Sequence, residues 1–165
     1  MRYAIGVGAN RGDRQATIAA ARAQLIDGIT LIASSTLHET VPVGGPLGQD
    51  CYLNAVWIID TQLGPHQLLQ RLQAIETALG RTRTVKWGSR TLDLDLLLRA
   101  DGLRIASGVL TLPHPRAWER AFVIVPWLQV DPDAELRGHG RIDALVVATS
   151  REVWACDAPP LWSES

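Results

Sequence analysis

The chain has 165 residues, 47% of them hydrophobic and 20% charged, the make-up of one soluble globular domain spanning residues 1–165 with a core of its own. Sixteen basic residues against seventeen acidic ones leave a formal charge of −1. That excludes the broad positive field of a nucleic-acid or membrane-surface binder, so any anion site must be local. Cys51 and Cys156 stand in no CxxC or Cys/His spacing, so both read as reduced thiols rather than as a zinc site or disulfide framework. The first residues lack a leader's apolar stretch and no long apolar run follows, so a cytoplasmic address is expected.

In chain order, Tyr3 to Gly8 reads as a buried strand that leaves through the turn Gly8-Ala9-Asn10-Arg11-Gly12-Asp13. Asp13 can cap a helix over Arg14 to Ile26, which Gly28 closes. Ile29 to His38, rich in β-branched and apolar residues, reads as one second strand. Glu39 to Asp50 carries too much Gly and Pro for a regular element and is expected to be a mobile loop. Tyr52 to Gln62 resumes as a strand. Pro65 then opens a helix with Leu68, Leu69, Leu72, Ile75, Ala78 and Leu79 at helical spacing, ended by Gly80.

Arg81 to Arg90 has no apolar period and holds Arg81, Arg83, Lys86 and Arg90 without an acidic residue, a basic loop. Thr91 to Leu98 follows as a strand. After Pro113-His114-Pro115, Ala117 to Val130 reads as one or two short helices interrupted at Pro126. Residues 134–165 carry no clear pattern. The resulting βαββαβ order predicts an α+β fold, a ferredoxin-like (split βαβ) antiparallel sheet covered by helices on one face.

In Thr91-Leu92-Asp93-Leu94-Asp95-Leu96 the period of two sends the leucines to one face and Asp93 and Asp95 to the other. Two carboxylates so placed can share a metal; they can equally be solvated residues of an edge strand. The basic loop that runs straight into this strand favours the metal reading, because magnesium polyphosphate is the ligand that needs carboxylates and cations side by side. No G-x-x-x-x-G-K-[S/T] loop, G-x-G-x-x-G turn or protein-kinase motif occurs, so a nucleotide would be held without the common phosphate cradles.

Four segments occur in order: Gly8-Ala9-Asn10-Arg11-Gly12-Asp13-Arg14, Tyr52-Leu53-Asn54-Ala55, Trp87-Gly88-Ser89-Arg90-Thr91-Leu92-Asp93-Leu94-Asp95, and Pro113-His114-Pro115-Arg116 followed by Glu119-Arg120-Ala121-Phe122. Together they resemble the 6-hydroxymethyl-7,8-dihydropterin pyrophosphokinases of the folate pathway, over roughly Met1 to Asp133. The resemblance implies transfer of the β,γ-pyrophosphoryl unit of ATP to the pterin hydroxymethyl oxygen, giving AMP, with two magnesium ions bridged by Asp93 and Asp95. It further implies phosphate contacts from Arg81, Arg83, Arg90, His114 and Arg120. Arg83 and Trp87 would lie in a segment that closes over the substrates, Arg81 and Arg90 beside the chemistry. Glu76 would partner the nucleotide or its arginines, with an exposed helical glutamate as the plain alternative, and Gln73 would face the adenine.

For the pterin, the resemblance points to Tyr52 and Phe122 as stacking rings, Asn54 as a paired donor and acceptor, and the backbone of Thr40, Pro42 and Val43 along the heterocycle edge. A monomer acting on ATP and the reduced pterin is expected, with no nucleic acid or membrane partner. Ala9 stands where the family has Ser, and Pro115 where some members have Tyr. Two other readings share the sheet: a two-metal cyclase or nuclease, which leaves Tyr52, Asn54 and the Pro-His-Pro-Arg segment unexplained, and an RRM-type RNA module, which lacks its aromatic motif here.

Overall fold

The computed structural model describes residues 1–42, 50–80 and 91–149. Strand β1 (Arg2–Ala9) is the centre of the sheet, and all but its first residue are buried. Asp13 then caps α1 (Arg14–Leu25), its Oδ1 accepting the Ala16 amide at 2.9 Å. Ile18, Ala21 and Leu25 form the buried stripe of this helix. Gly28, at φ 80°, makes the left-handed turn into the next strand.

The single second strand expected from the sequence is two: β2 (Thr30–Ser34) and β3 (His38–Thr40), both paired with β4 (Tyr52–Asp60). The break comes from hydroxyl groups competing with the ladder. Ser35 Oγ accepts the Val56 amide at 2.9 Å, and the Thr36 amide and hydroxyl both turn to Gln129 Oε1, at 3.1 and 3.0 Å. Glu39 and Thr40 therefore belong to a strand and not to the following loop, whose residues 43–49 lie outside those described.

Helix α2 (Pro65–Ala78) starts with Pro at its first position, and Gln67 Oε1 accepts the Gly64 amide at 2.9 Å. It leads through Gly80 towards β5 (Asp93–Arg99). Two short hairpins complete the described strands, β6 (Ile105–Ala106) with β7 (Thr111–Leu112), and β8 (Glu135–Leu136) with β9 (Gly140–Arg141). Between them come a 3-10 turn at Ala117–Glu119 and α3 (Ala121–Val130); α4 (Ile142–Thr149) ends the described chain. The interruption falls at Arg120, whose backbone is extended, and not at Pro126, which sits inside α3. Burial of Ile124 and Trp127 around it offsets the one helical hydrogen bond that Pro126 cannot make.

The sheet order β2-β4-β1-β5, antiparallel throughout, is that of a split βαβ fold. Helices cover both faces, however. One face (Tyr3, Ile5, Val7, Trp57, Ile59, Leu94, Leu96) packs on the stripes of α1 and α2. The other (Ala4, Val56, Ile58, Leu97, Leu98) packs on Ile124 and Trp127 of α3 with Leu136 and Ile142. The second layer was not legible because α3 is apolar nearly all round and shows no stripe to orient. Cys51 is disulfide-bonded, against the expectation of a reduced thiol that the lack of a local cysteine spacing gave; Cys156 lies outside the described residues.

Candidate active site

The α3 side of the sheet opens into the site where its side chains stop being apolar. Along β1, Gly6 and Gly8 alternate with buried Ile5 and Val7, so the two glycines share the α3 face. Gly8 is the ladder partner of Asn54 on β4 and of Asp93 on β5; Gly6 lies likewise between Val56 and Asp95. The central strand thus contributes a floor without side chains, with Asn54 on one bank and the aspartates on the other. A Cβ at Gly8 would stand 3.0 Å from Asn54 Oδ1 and 3.7 Å from Tyr52 Cδ1. The sequence reading missed this floor; its signal was a Gly-x-Gly spacing of two within a strand.

On the Asn54 bank, Asn54 Nδ2 donates to Thr40 Oγ1 at 2.6 Å, and both residues are buried. Thr40 pairs with Tyr52 across the ladder, and period two puts Tyr52 on the same face as Asn54. Pro42 follows at half burial. Three of the expected pterin residues, Thr40, Tyr52 and Asn54, are therefore gathered in one patch. Val43 lies outside the described residues.

On the aspartate bank, Arg120 Nη1 lies 3.5 Å from Asp95 Oδ2, and the Arg120 guanidinium sits over the Phe122 ring, 5.5 Å from its centroid. Arg120 thereby joins the carboxylates to the expected stacking residue. His114 Nε2 stands 4.0 Å from the same Asp95 oxygen. Burial, then the Arg120 charge, push the imidazole down to about 4, the opposing pull of Asp93 being smaller. The ring is thus neutral at pH 7. Because its Nδ1 accepts the Arg116 amide at 3.2 Å, the N–H is at Nε2 and faces the carboxylate side.

Glu76 is not the exposed helical glutamate of the plain alternative. Only 3% exposed, it does not reach out as a helical surface glutamate; its Oε1 accepts the backbone amide of Leu94 at 2.7 Å. It braces the strand between Asp93 and Asp95 from the α2 side. Helical spacing cannot show this, since Glu76 adjoins the apolar stripe and only a neighbouring strand edge makes its burial favourable. Gln73, one turn earlier, is exposed, and nothing among the described residues joins it to the aspartates. Arg81, Arg83, Trp87 and Arg90 lie outside the described residues.

A split βαβ sheet with paired carboxylates, an arginine and a neutral histidine on one bank and a buried amide on the other is the make-up of a phosphoryl- or pyrophosphoryl-transferring enzyme. Residues 4–132 match the model of 7,8-dihydro-6-hydroxymethylpterin-pyrophosphokinase (HPPK), and the chain belongs to that family. It is 41% identical over 143 residues to the 2-amino-4-hydroxy-6-hydroxymethyldihydropteridine pyrophosphokinase of Methylorubrum extorquens, covering 86% of this chain and 89% of that protein. It is also 41% identical over 133 residues to the protein of that name from Bacillus subtilis, covering 79% and 78%. A solved chain of Plasmodium falciparum HPPK-DHPS superposes with a TM-score of 0.67 at 12% identity, over 89% of this chain and 44% of that one, a likeness of fold.

The activity is accordingly that of an ATP-dependent hydroxymethyldihydropterin pyrophosphokinase in folate biosynthesis. The cyclase, nuclease and RNA-module readings are set aside. No helix among the described residues is long and apolar enough to cross a membrane.

Proposed function

We propose that the glycine floor separates the two substrates' reacting ends, with the pterin on the Thr40–Tyr52–Asn54 bank and the ATP polyphosphate on the Asp93–Asp95 bank. The observation that carries this is the row Asn54–Gly8–Asp93, three ladder neighbours on one face whose middle member has no side chain. A flat heterocycle needs a ring to stack on and a donor-acceptor pair at its edge, which Tyr52, Phe122 and Asn54 supply. Thr40, taking one Asn54 amide proton, fixes which way that amide faces.

Asp93 and Asp95 suit magnesium. They are hard oxygen donors, both partly accessible, and no cluster of three or more His, Cys, Asp or Glu stands among the described residues. That leaves further coordination positions to water and phosphate oxygens, the arrangement magnesium prefers. The chemistry the metal supplies when bound is charge neutralisation on the polyphosphate and acidification of the acceptor hydroxyl. Arg120 and the Nε2–H of His114 bind phosphate oxygens and hold the chain of phosphates in line with the acceptor.

The pterin hydroxymethyl oxygen then attacks the β-phosphorus. The bond from that phosphorus to the oxygen bridging to the α-phosphate breaks, AMP leaves with the bridging oxygen, and the hydroxyl proton passes to solvent. Positioning and electrostatics carry most of this step, so the site needs no strong base. Arg81, Arg83, Arg90 and Trp87 belong to the same proposal on their place in the chain, between the end of α2 and β5, as do Gln73 for the adenine and Glu76 as a brace.

The test is an incubation with MgATP and reduced hydroxymethylpterin, with the adenine nucleotides resolved. AMP formed only with pterin, and abolished by chelating the metal, is expected. ADP as product, or AMP independent of pterin, overturns the assignment.

A further inference from the structure

We propose that Arg14 is a positioning residue for the acceptor site, its guanidinium clamping together the two strands that carry Thr40 and Tyr52. This rests on the placement of the pterin at Thr40, Tyr52 and Asn54. Arg14 is the first residue of α1, immediately after the cap Asp13. A cation there opposes the helix dipole, so the helix gains nothing from it. What Arg14 meets lies far along the chain: its Nη1 donates to Glu39 Oε1 at 2.7 Å and to the Cys51 carbonyl at 2.7 Å.

Those two acceptors flank the acceptor patch. Glu39 is the middle residue of β3, next to Thr40, and Cys51 immediately precedes Tyr52, where β4 begins. Thr40 and Tyr52 are themselves ladder partners. Strand β3 has three residues and, among the described residues, pairs only with β4, at the end of the sheet where ladders fray most readily. One guanidinium reaching both strands removes that freedom. Asn10, fully buried, adds a neighbouring tie by donating to the Asp50 carbonyl at 3.2 Å.

The grip comes from the far side. Glu39 alternates with His38 and Thr40, so Arg14 holds β3 by the face opposite to the one that carries Thr40, and the acceptor's face stays open. The ion pair is largely shielded, with the side chains of Arg14 and Glu39 24% and 13% exposed, so water screens it less than a surface pair. Arg14 does not touch the acceptor; it sets the spacing between Thr40, Tyr52 and Asn54.

The experiment compares Arg14→Met, Arg14→Lys and Glu39→Gln, with each substrate varied separately. Arg14→Met and Glu39→Gln are expected to raise the KM for the pterin about tenfold and that for MgATP less than about twofold, as loss of positioning on one substrate alone requires. Arg14→Lys recovers part of the loss by keeping the charge opposite Glu39. Amide exchange at residues 38–40 and 52–54 should quicken in Arg14→Met, and if that variant does not fold, Glu39→Gln carries the same expectations. A folded variant with an unchanged pterin KM, or equal rises in both KM values, overturns the proposal. If the unaltered protein turns over no pterin, the acceptor assignment has failed instead, and unchanged amide exchange in Arg14→Met then overturns the clamp independently.

Discussion

The carboxylate of Glu76, near the end of α2, accepts the backbone amide of Leu94, the residue between Asp93 and Asp95, at 2.7 Å. Because β5 is the sheet's edge among the described residues, this bond satisfies an amide that no described strand pairs and holds the spacing of the two aspartates. Glu76→Ala leaves a buried amide without its acceptor and should cost about 2 kcal/mol of stability. Glu76→Gln keeps an acceptor oxygen and should recover most of that. Denaturant melts of the two variants check the difference; equal losses would show that the negative charge, and not the hydrogen bond, is what matters.

Asp95 is expected to be dispensable for folding and needed for turnover. Its carboxylate is 35% exposed, so Asp95→Ala opens no cavity in the core. Turnover should fall about a hundredfold or more, the scale of losing one preorganised electrostatic contact to the reacting groups. Circular dichroism with steady-state rates decides it: a folded, active variant means the metal lies elsewhere.

Gly8→Ala separates stability from function. Alanine suits a strand better than glycine, so the melting temperature should hold or rise. The added Cβ at 3.0 Å from Asn54 Oδ1 shifts that amide by a few tenths of an ångström from the position in which it bonds Thr40 at 2.6 Å. A pterin KM about tenfold higher is expected at unchanged MgATP KM, the mark of a lost ground-state contact. An unchanged pterin KM would mean that Asn54 does not meet the acceptor.

His38 makes stability depend on pH. Burial lowers its pKa from 6.5, an effect only partly opposed by its hydrogen bond to Gln129. As pH falls past 6.5 the unfolded chain takes up the proton before the folded one, so the unfolded state binds more protons and stability drops. The contribution is complete above 6.5 and lost progressively below it, down to the lowered folded value. Chemical denaturation at about pH 7.5 and about pH 5.5 should show a shallower fall for His38→Gln than for the unaltered protein. Identical slopes would place the titration elsewhere.

Much of the frame follows from local rules. The Asp13 cap, the Pro65 start and the glycine stops are each decided within a few residues, and the structure keeps them, as it keeps the βαββαβ order apart from the split of its second strand. Period two likewise puts Asp93 and Asp95 on one face whatever the fold, because a strand's alternation needs no partner.

Whatever depends on a distant partner escaped that reading. Ser35 and Thr36 split one apolar run into β2 and β3 only because the Val56 amide is there to donate to Ser35 Oγ and Gln129 Oε1 to accept from Thr36. Arg14 looks like any helix-start residue until Glu39 and the Cys51 carbonyl are beside it, and Glu76 like a surface glutamate until the Leu94 amide needs an acceptor. Pairing across a sheet joins residues far apart in the chain, so the meeting of Asn54, Gly8 and Asp93 on one face was settled by strand order and register, which no local spacing encodes.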